Sequence, residues 1–267
     1  MWRFIPVPLA LLPTACQAPP EDAKATTAAF APPTEESLPQ DARATEIRYG
    51  LQLVKETRKL LPENVGNSLS CTNCHLEAGR KPRAAPFVGV YAAFPQYRAR
   101  SARVDTLEDR INDCFERSLH GKALSKDSRE MRAMVTYMSW LSEGVPVGKQ
   151  PEGRGIPKIT SSREPDPEAG KTLYAKSCAA CHGQDGQGVG GFPPLWGPES
   201  FNVAAGMARM HTAAAFIKWN MPLGQGGSLS NEDAYDIAAY VLSHERPDFA
   251  KKQLDWPKGG KPEDAPY

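Results

Sequence analysis

Two short stretches carry most of the chemistry legible in this sequence. Cys71, Cys74 and His75 stand in CTNCH, and Cys178, Cys181 and His182 stand in CAACH. C-x-x-C-H is the attachment pattern of c-type haem. Two thiols reach the two vinyl groups of one porphyrin, and the adjacent histidine ligates its iron. A four-cysteine zinc site keeps its pairs about 15–20 residues apart, whereas these are about a hundred apart. A thioredoxin-type pair needs a βαβ setting, and none is visible. Two covalently bound haem c groups are therefore expected, with His75 and His182 as proximal ligands.

Each iron takes a second axial ligand, whose identity sets the chemistry. In the second half, KWNMPLGQGG offers Met221, 39 residues past His182. Histidine–methionine ligation raises the potential and suits a haem that passes electrons out. Met207, Met210, His211 and Lys218 compete; the two methionines read as helix core, and Lys218 is close enough to exchange with Met221. The first half has no Met-Pro loop. Cys114 lies 39 residues past His75, with His120 as its rival. DTLEDRINDCFERSLHG reads as an amphipathic helix, with Asp105 and Glu108 as a capping box and Gly121 as its stop. Leu107, Ile111, Phe115 and Leu119 form its buried stripe. Arg110, Cys114 and Ser118 form an adjacent ridge facing the haem pocket, and His120 lies off it. The plain reading of Cys114 is an inert buried residue. The sharper one is a thiolate ligand at an iron site that does chemistry.

Residues 80–103 hold six basic residues and no acid. Arg80, Arg83, Arg98, Arg100 and Arg103 can be brought near the first haem, either pairing its propionates or forming an anion site. Guanidinium forks bind tetrahedral oxyanions at two points. Arginines converging beside a thiolate imply an anionic substrate that reacts at sulfur.

The elements that must position these groups occur twice. A helical stretch at 45–61, with Ile47, Leu51, Val54 and Arg58 at helical spacing, precedes the first motif. Asp166 caps and Pro167 opens the helix before the second. Closing helices are expected at about 128–142, with Met131, Met134, Val135, Met138 and Leu141 inward, and at about 231–244, capped by Ser230. The fold class is all-α: two tandem class I cytochrome c domains, each with one haem. The first spans 41–143 and the second 168–267, joined by a Pro- and Gly-rich linker at 144–167.

The 267 residues carry a net charge of +1 and are 40% hydrophobic, which reads as a soluble protein with no electrostatic case for nucleic acid. Residues 1–16 read as a secretory signal ending in LLPTAC, similar to a bacterial lipobox, with Cys16 as a possible lipid anchor site. Residues 17–40 read as a flexible tether. The expected location is the periplasm.

The chain resembles the dihaem thiosulfate dehydrogenase family over about residues 41–267. The resemblance rests on SLSCTNCHLEAG, RARSARVDTLEDRINDCFERSLHGKAL, SCAACHGQDGQGVGGFPPLWGPESFNVAAGMARM, NMPLG and the tail DWPKGGKPEDAPY. It implies interconversion of thiosulfate and tetrathionate. It also implies Cys114 as ligand of the active-site iron, and Arg100, Arg110 and Ser118 as substrate-site residues. His75, His182 and Met221 match the remaining axial ligands. Some relatives place a lysine directly before the methionine; here Asn220 fills that place. The expected partner is a periplasmic or membrane-associated cytochrome c. Tetrathionate reduction, conjugation of thiosulfate to a carrier protein, and simple electron carriage remain the alternatives.

Overall fold

The computed structural model describes Met1 and residues 29–267. The expected signal sequence and lipobox, and the tether up to residue 28, lie outside the described residues. The rest of the expected tether is not free. Glu35–Ser37 form a 3-10 turn, and Leu38 is buried in the first core.

Helix α1 (Ala42–Lys55) starts at Asp41, whose carboxylate accepts from the Arg43 N–H. The helix expected to run to residue 61 breaks at Glu56, and a single turn, Thr57–Leu60, follows. The cause is Thr57. Its hydroxyl is buried and accepts from the Cys71 N–H at 3.0 Å, which ties this turn to the first C-x-x-C-H. Arg58, at helical spacing from Val54, is exposed and donates to Ser68.

Helix α2 (Leu107–Arg117) follows a short antiparallel hairpin, β1 (Gln96–Arg98) and β2 (Arg103–Asp105). Its cap is one residue later than expected. Thr106 and Asp109 form the capping box, not Asp105 and Glu108. Asp105 is 2% exposed and committed elsewhere, accepting from Arg103 and Ser101. Leu107, Ile111, Phe115 and Leu119 are buried as the spacing requires. At the far end the left-handed residue is His120, at φ 46°. Gly121 is needed for another reason: a Cβ there would lie 1.9 Å from the Asn64 carbonyl.

Helix α3 (Arg129–Trp140), capped by Ser128, crosses α1. The crossing is close because of Gly50, where a Cβ would meet the Ala133 carbonyl at 2.2 Å. The second half repeats the device. Helix α4 (Pro167–Ser177) begins at Asp166, which accepts from two backbone N–H groups. Helix α5 (Met210–Asn220) leads to Met221, and helix α6 (Asn231–Leu242) starts at a Ser230–Asp233 capping box. Here Gly170 packs on the Asp236 carbonyl, 1.9 Å from where a Cβ would stand. Each glycine lets two helices meet just beside a haem-binding motif.

The halves are not independent bodies. Phe201, Ala205 and Ala208 of the second half belong to the core of the first. The 144–167 connection is an ordered strap. Its Gly153 and Gly155 carbonyls accept from Arg83 and Ala85, and its Pro157 carbonyl accepts from the Trp219 indole.

Candidate active site and haem cavities

Two apolar cavities hold the C-x-x-C-H residues. The second is lined by Cys178, Cys181, His182 and Met221, with Tyr174, Phe216 and Ile237 among its walls. The first is lined by Cys71, Cys74, His75 and Cys114, with Phe87, Ile111 and Phe115. Leu69 and Cys74 line both, so the cavities share a wall.

The donor sets fit haem c. His75 Nδ1 donates to the Ala85 carbonyl at 2.6 Å, and His182 Nδ1 to the Pro193 carbonyl at 2.9 Å. A carbonyl only accepts, so each Nδ1 carries the proton and each Nε2 keeps a lone pair for iron. Burial holds the His182 ring below its ordinary value, favouring that neutral form. Arg154 of the strap lines the first cavity; its half-buried guanidinium is pushed down by desolvation and makes none of the described ion pairs. It suits a carboxylate brought in by the cofactor.

The rival ligands are separated by position. His120 lines neither cavity; its Nδ1 meets Asn202 of the second half. His211 pairs with the Tyr235 hydroxyl, and the Lys218 ammonium donates to the Gly227 and Leu229 carbonyls. Met207, read as helix core, shares the second cavity with Met221. Met134 and Met138 are buried and line the first cavity. Asn220 is fully buried and donates to the Arg83 carbonyl at 3.1 Å.

Arg110, Cys114 and Ser118 stand on one wall of the first cavity. Arg110 Nη1 donates to Cys114 Sγ at 3.0 Å. Burial pushes the Cys114 thiol up, but the Arg110 charge and His75 outweigh it and bring it from 9 down to about 7. Burial acts with less opposition on the haem-motif thiols, raising Cys71 to about 11 and Cys74 to about 12. A thiol that ionises near neutrality is a nucleophile and a metal ligand.

Arg110 and Ser118 also line a third, polar pocket with Arg98, Arg100, Arg117 and Arg209. Its volume is about 410 Å³, against about 30 Å³ per water in the liquid. Asp113 lines the pocket too, but the carboxylates nearest Arg98 and Arg100 stand at 3.7–3.9 Å, and desolvation pulls both guanidinium groups below their ordinary value. Five arginines against one aspartate in the lining favour an anion. Of the arginines expected near the first haem, Arg98 and Arg100 reach this pocket. Arg80 stacks on Trp140, Arg83 on Trp219, and exposed Arg103 pairs with Asp105 and Asp109, so these three line neither pocket nor cavity. Arg117, Arg209 and Trp256 were not singled out by sequence reasoning. Arg117 lies three residues past Cys114 and was within reach of the helical pattern. Arg209 and Trp256 come from the second half, where nothing local marks them.

Residues 62–147 match the family described as SoxA/TsdA, cytochrome c domain, and residues 167–245 match cytochrome c. The chain is 51% identical over 239 residues to a thiosulfate dehydrogenase of Allochromatium vinosum, covering 86% of this chain and 88% of that protein. It is 48% identical over 238 residues to one of Psychrobacter arcticus, covering 87% and 73%. Among solved structures, the thiosulfate dehydrogenase TsdBA from Marichromatium purpuratum superposes with a TM-score of 0.78 at 38% identity. That match covers 82% of this chain and 50% of the solved one.

Proposed function

The chain belongs to the thiosulfate dehydrogenase family, and from that premise we propose that it couples two thiosulfate ions into tetrathionate at Cys114. It is a cytochrome c enzyme that oxidises thiosulfate. The observation that carries the finer one is the 3.0 Å contact between Arg110 and Cys114, where an apolar cavity meets an arginine-lined pocket.

Cys71, Cys74, His75 and Cys114 would hold one haem, and Cys178, Cys181, His182 and Met221 the other. When bound, the haems supply two one-electron acceptors, which matches the two electrons released per tetrathionate. The chain's own residues do the rest. Arg100, Arg110 and Ser118 bind the first thiosulfate by its sulfonate oxygens. Its terminal sulfur forms a bond to Cys114 Sγ, and two electrons leave, giving a cysteinyl S-thiosulfonate. The terminal sulfur of a second thiosulfate then attacks the sulfur attached to Sγ. The bond to Sγ breaks, tetrathionate departs and the Cys114 thiolate is restored. A thiosulfate dianion must approach an adduct that itself carries a sulfonate charge, and the buried guanidinium groups offset their repulsion. Splitting the collision into two steps is the gain from a covalent nucleophile.

Electrons are proposed to leave through the second half to an external cytochrome c in the periplasm. Exposed Phe192 and Leu223 support this exit, since both also line the second cavity. The test uses purified holoprotein with thiosulfate, an artificial acceptor and no carrier protein, with tetrathionate quantified. Cys114→Ala should keep both haems attached and lose turnover. Substantial activity in that variant would overturn the adduct.

A further inference from the structure

The anion pocket has an inner and an outer part. Arg110 and Ser118 line both the cavity of Cys114 and the arginine pocket, whereas Arg100 and Arg117 line the pocket alone. Arg117 is the unusual member. Its side chain is 11% exposed, yet its Nε and Nη1 are buried without a hydrogen-bond partner. Its Asp113 contact is long, at 3.6 Å, and the guanidinium plane lies over Phe249. Only Nη2 is well bonded, donating to Asp255 Oδ1 at 3.0 Å. Arg209, by contrast, is matched by Asp264. Buried guanidinium donors left unpaired are costly, and an oxyanion would satisfy them.

Asp255 is a carboxylate of the second half whose side chain is 4% exposed. Its Oδ2 accepts from the Tyr267 hydroxyl at 2.5 Å and lies 3.9 Å from Arg100 Nε. The next residue, Trp256, stacks on Arg100 at 4.7 Å and donates its N–H to the Arg100 carbonyl. Trp256 does this at φ 54°, a left-handed backbone that a bulky residue holds only under constraint.

We propose that Arg117 binds the second thiosulfate, the one that attacks the Cys114 adduct, and that Asp255 and Tyr267 are positioning residues that present it. This rests on the reaction proposed above. With Arg110 and Ser118 occupied by the bound first sulfur, Nε and Nη1 of Arg117 take sulfonate oxygens of the incoming ion. Its terminal sulfur is left free to attack.

The test compares wild type, Arg117→Gln and Arg117→Lys as dihaem proteins. Steady-state kinetics are read beside intact-protein mass after oxidised protein meets thiosulfate. In Arg117→Gln the Cys114 adduct should still form, while KM for thiosulfate rises about tenfold or more. Arg117→Lys restores the charge without the fork and should recover part of that loss. A KM for Arg117→Gln within about twofold of wild type overturns the assignment. Should the glutamine variant lose its haems, Arg117→Lys decides alone: a rise of about threefold is expected, and a wild-type KM refutes it. Wild type that forms neither adduct nor tetrathionate would sink the underlying reaction instead.

Discussion

Arg110→Met is the most informative single change. It keeps an unbranched side chain of similar reach on α2 but removes the charge that lies 3.0 Å from Cys114 Sγ. At an effective dielectric of about 20, two unit charges at that distance attract by about 5–6 kcal/mol. Burial of the thiolate opposes this attraction. The balance is visible in the thiol itself, which falls from 9 to about 7. That fall corresponds to about 3 kcal/mol in favour of the thiolate. Removing Arg110 takes away the largest of the influences that lower the thiol and leaves only His75 to oppose burial. If the thiolate is the reacting form, kcat/KM for thiosulfate should fall about a hundredfold. The assay is thiosulfate-dependent reduction of an artificial acceptor, with haem content measured by absorbance on the same sample. Activity within about threefold of wild type at full haem content would refute the electrostatic account.

Three other outcomes are expected. Met221→Ala should keep its haem on Cys178 and Cys181, yet the second haem's potential should fall in a redox titration, because the thioether ligand raises it. Gly170→Ala should cost about 1–3 kcal/mol in denaturant unfolding, since its Cβ would stand 1.9 Å from the Asp236 carbonyl. Burial would raise the Asp236 carboxyl, but the Arg163 fork and the Asp166 N–H outweigh it and hold it below the usual carboxylate value. A depressed carboxyl contributes stability that is present above its unfolded value, about 3.8, and lost as pH falls through the folded one. Asp236→Asn should therefore lower Tm at pH 7, and the deficit should shrink as pH falls below about 3.8, as read by thermal melts across that range.

The local grammar of the chain was legible because its signals are local. Asp166 with Pro167, and Ser230, announce their helices, and the i+4 spacing from Leu107 to Leu119 gives the buried face of α2. The same spacing put Arg110 and Ser118 beside Cys114. Errors arose where a side chain is claimed by something distant in sequence. Thr57 breaks a helix because Cys71 needs its hydroxyl. Asp105 yields the cap to Thr106 because it is buried among Arg103 and Ser101. The outer wall of the anion pocket was illegible for the same reason: Arg209 and Trp256 reach it from the other half, and no period links them to Cys114.

The short stretch Arg83–Ala85 has consequences beyond its length. The Arg83 and Ala85 N–H groups are fastened to the strap at Gly153 and Gly155. The Ala85 carbonyl holds His75, and the Arg83 carbonyl holds, through Asn220, the end of α5 next to Met221. Arg83 and Ala85 both sit at positive φ, 65° and 47°, so the stretch is held in place by those partners and not by preference. One small piece of backbone thus supports His75 in one cavity and the segment beside Met221 in the other. Such a protein resists modular editing. Exchanging either half for a foreign cytochrome would remove part of the other's support, so inheritance and engineering alike must treat the pair as one unit.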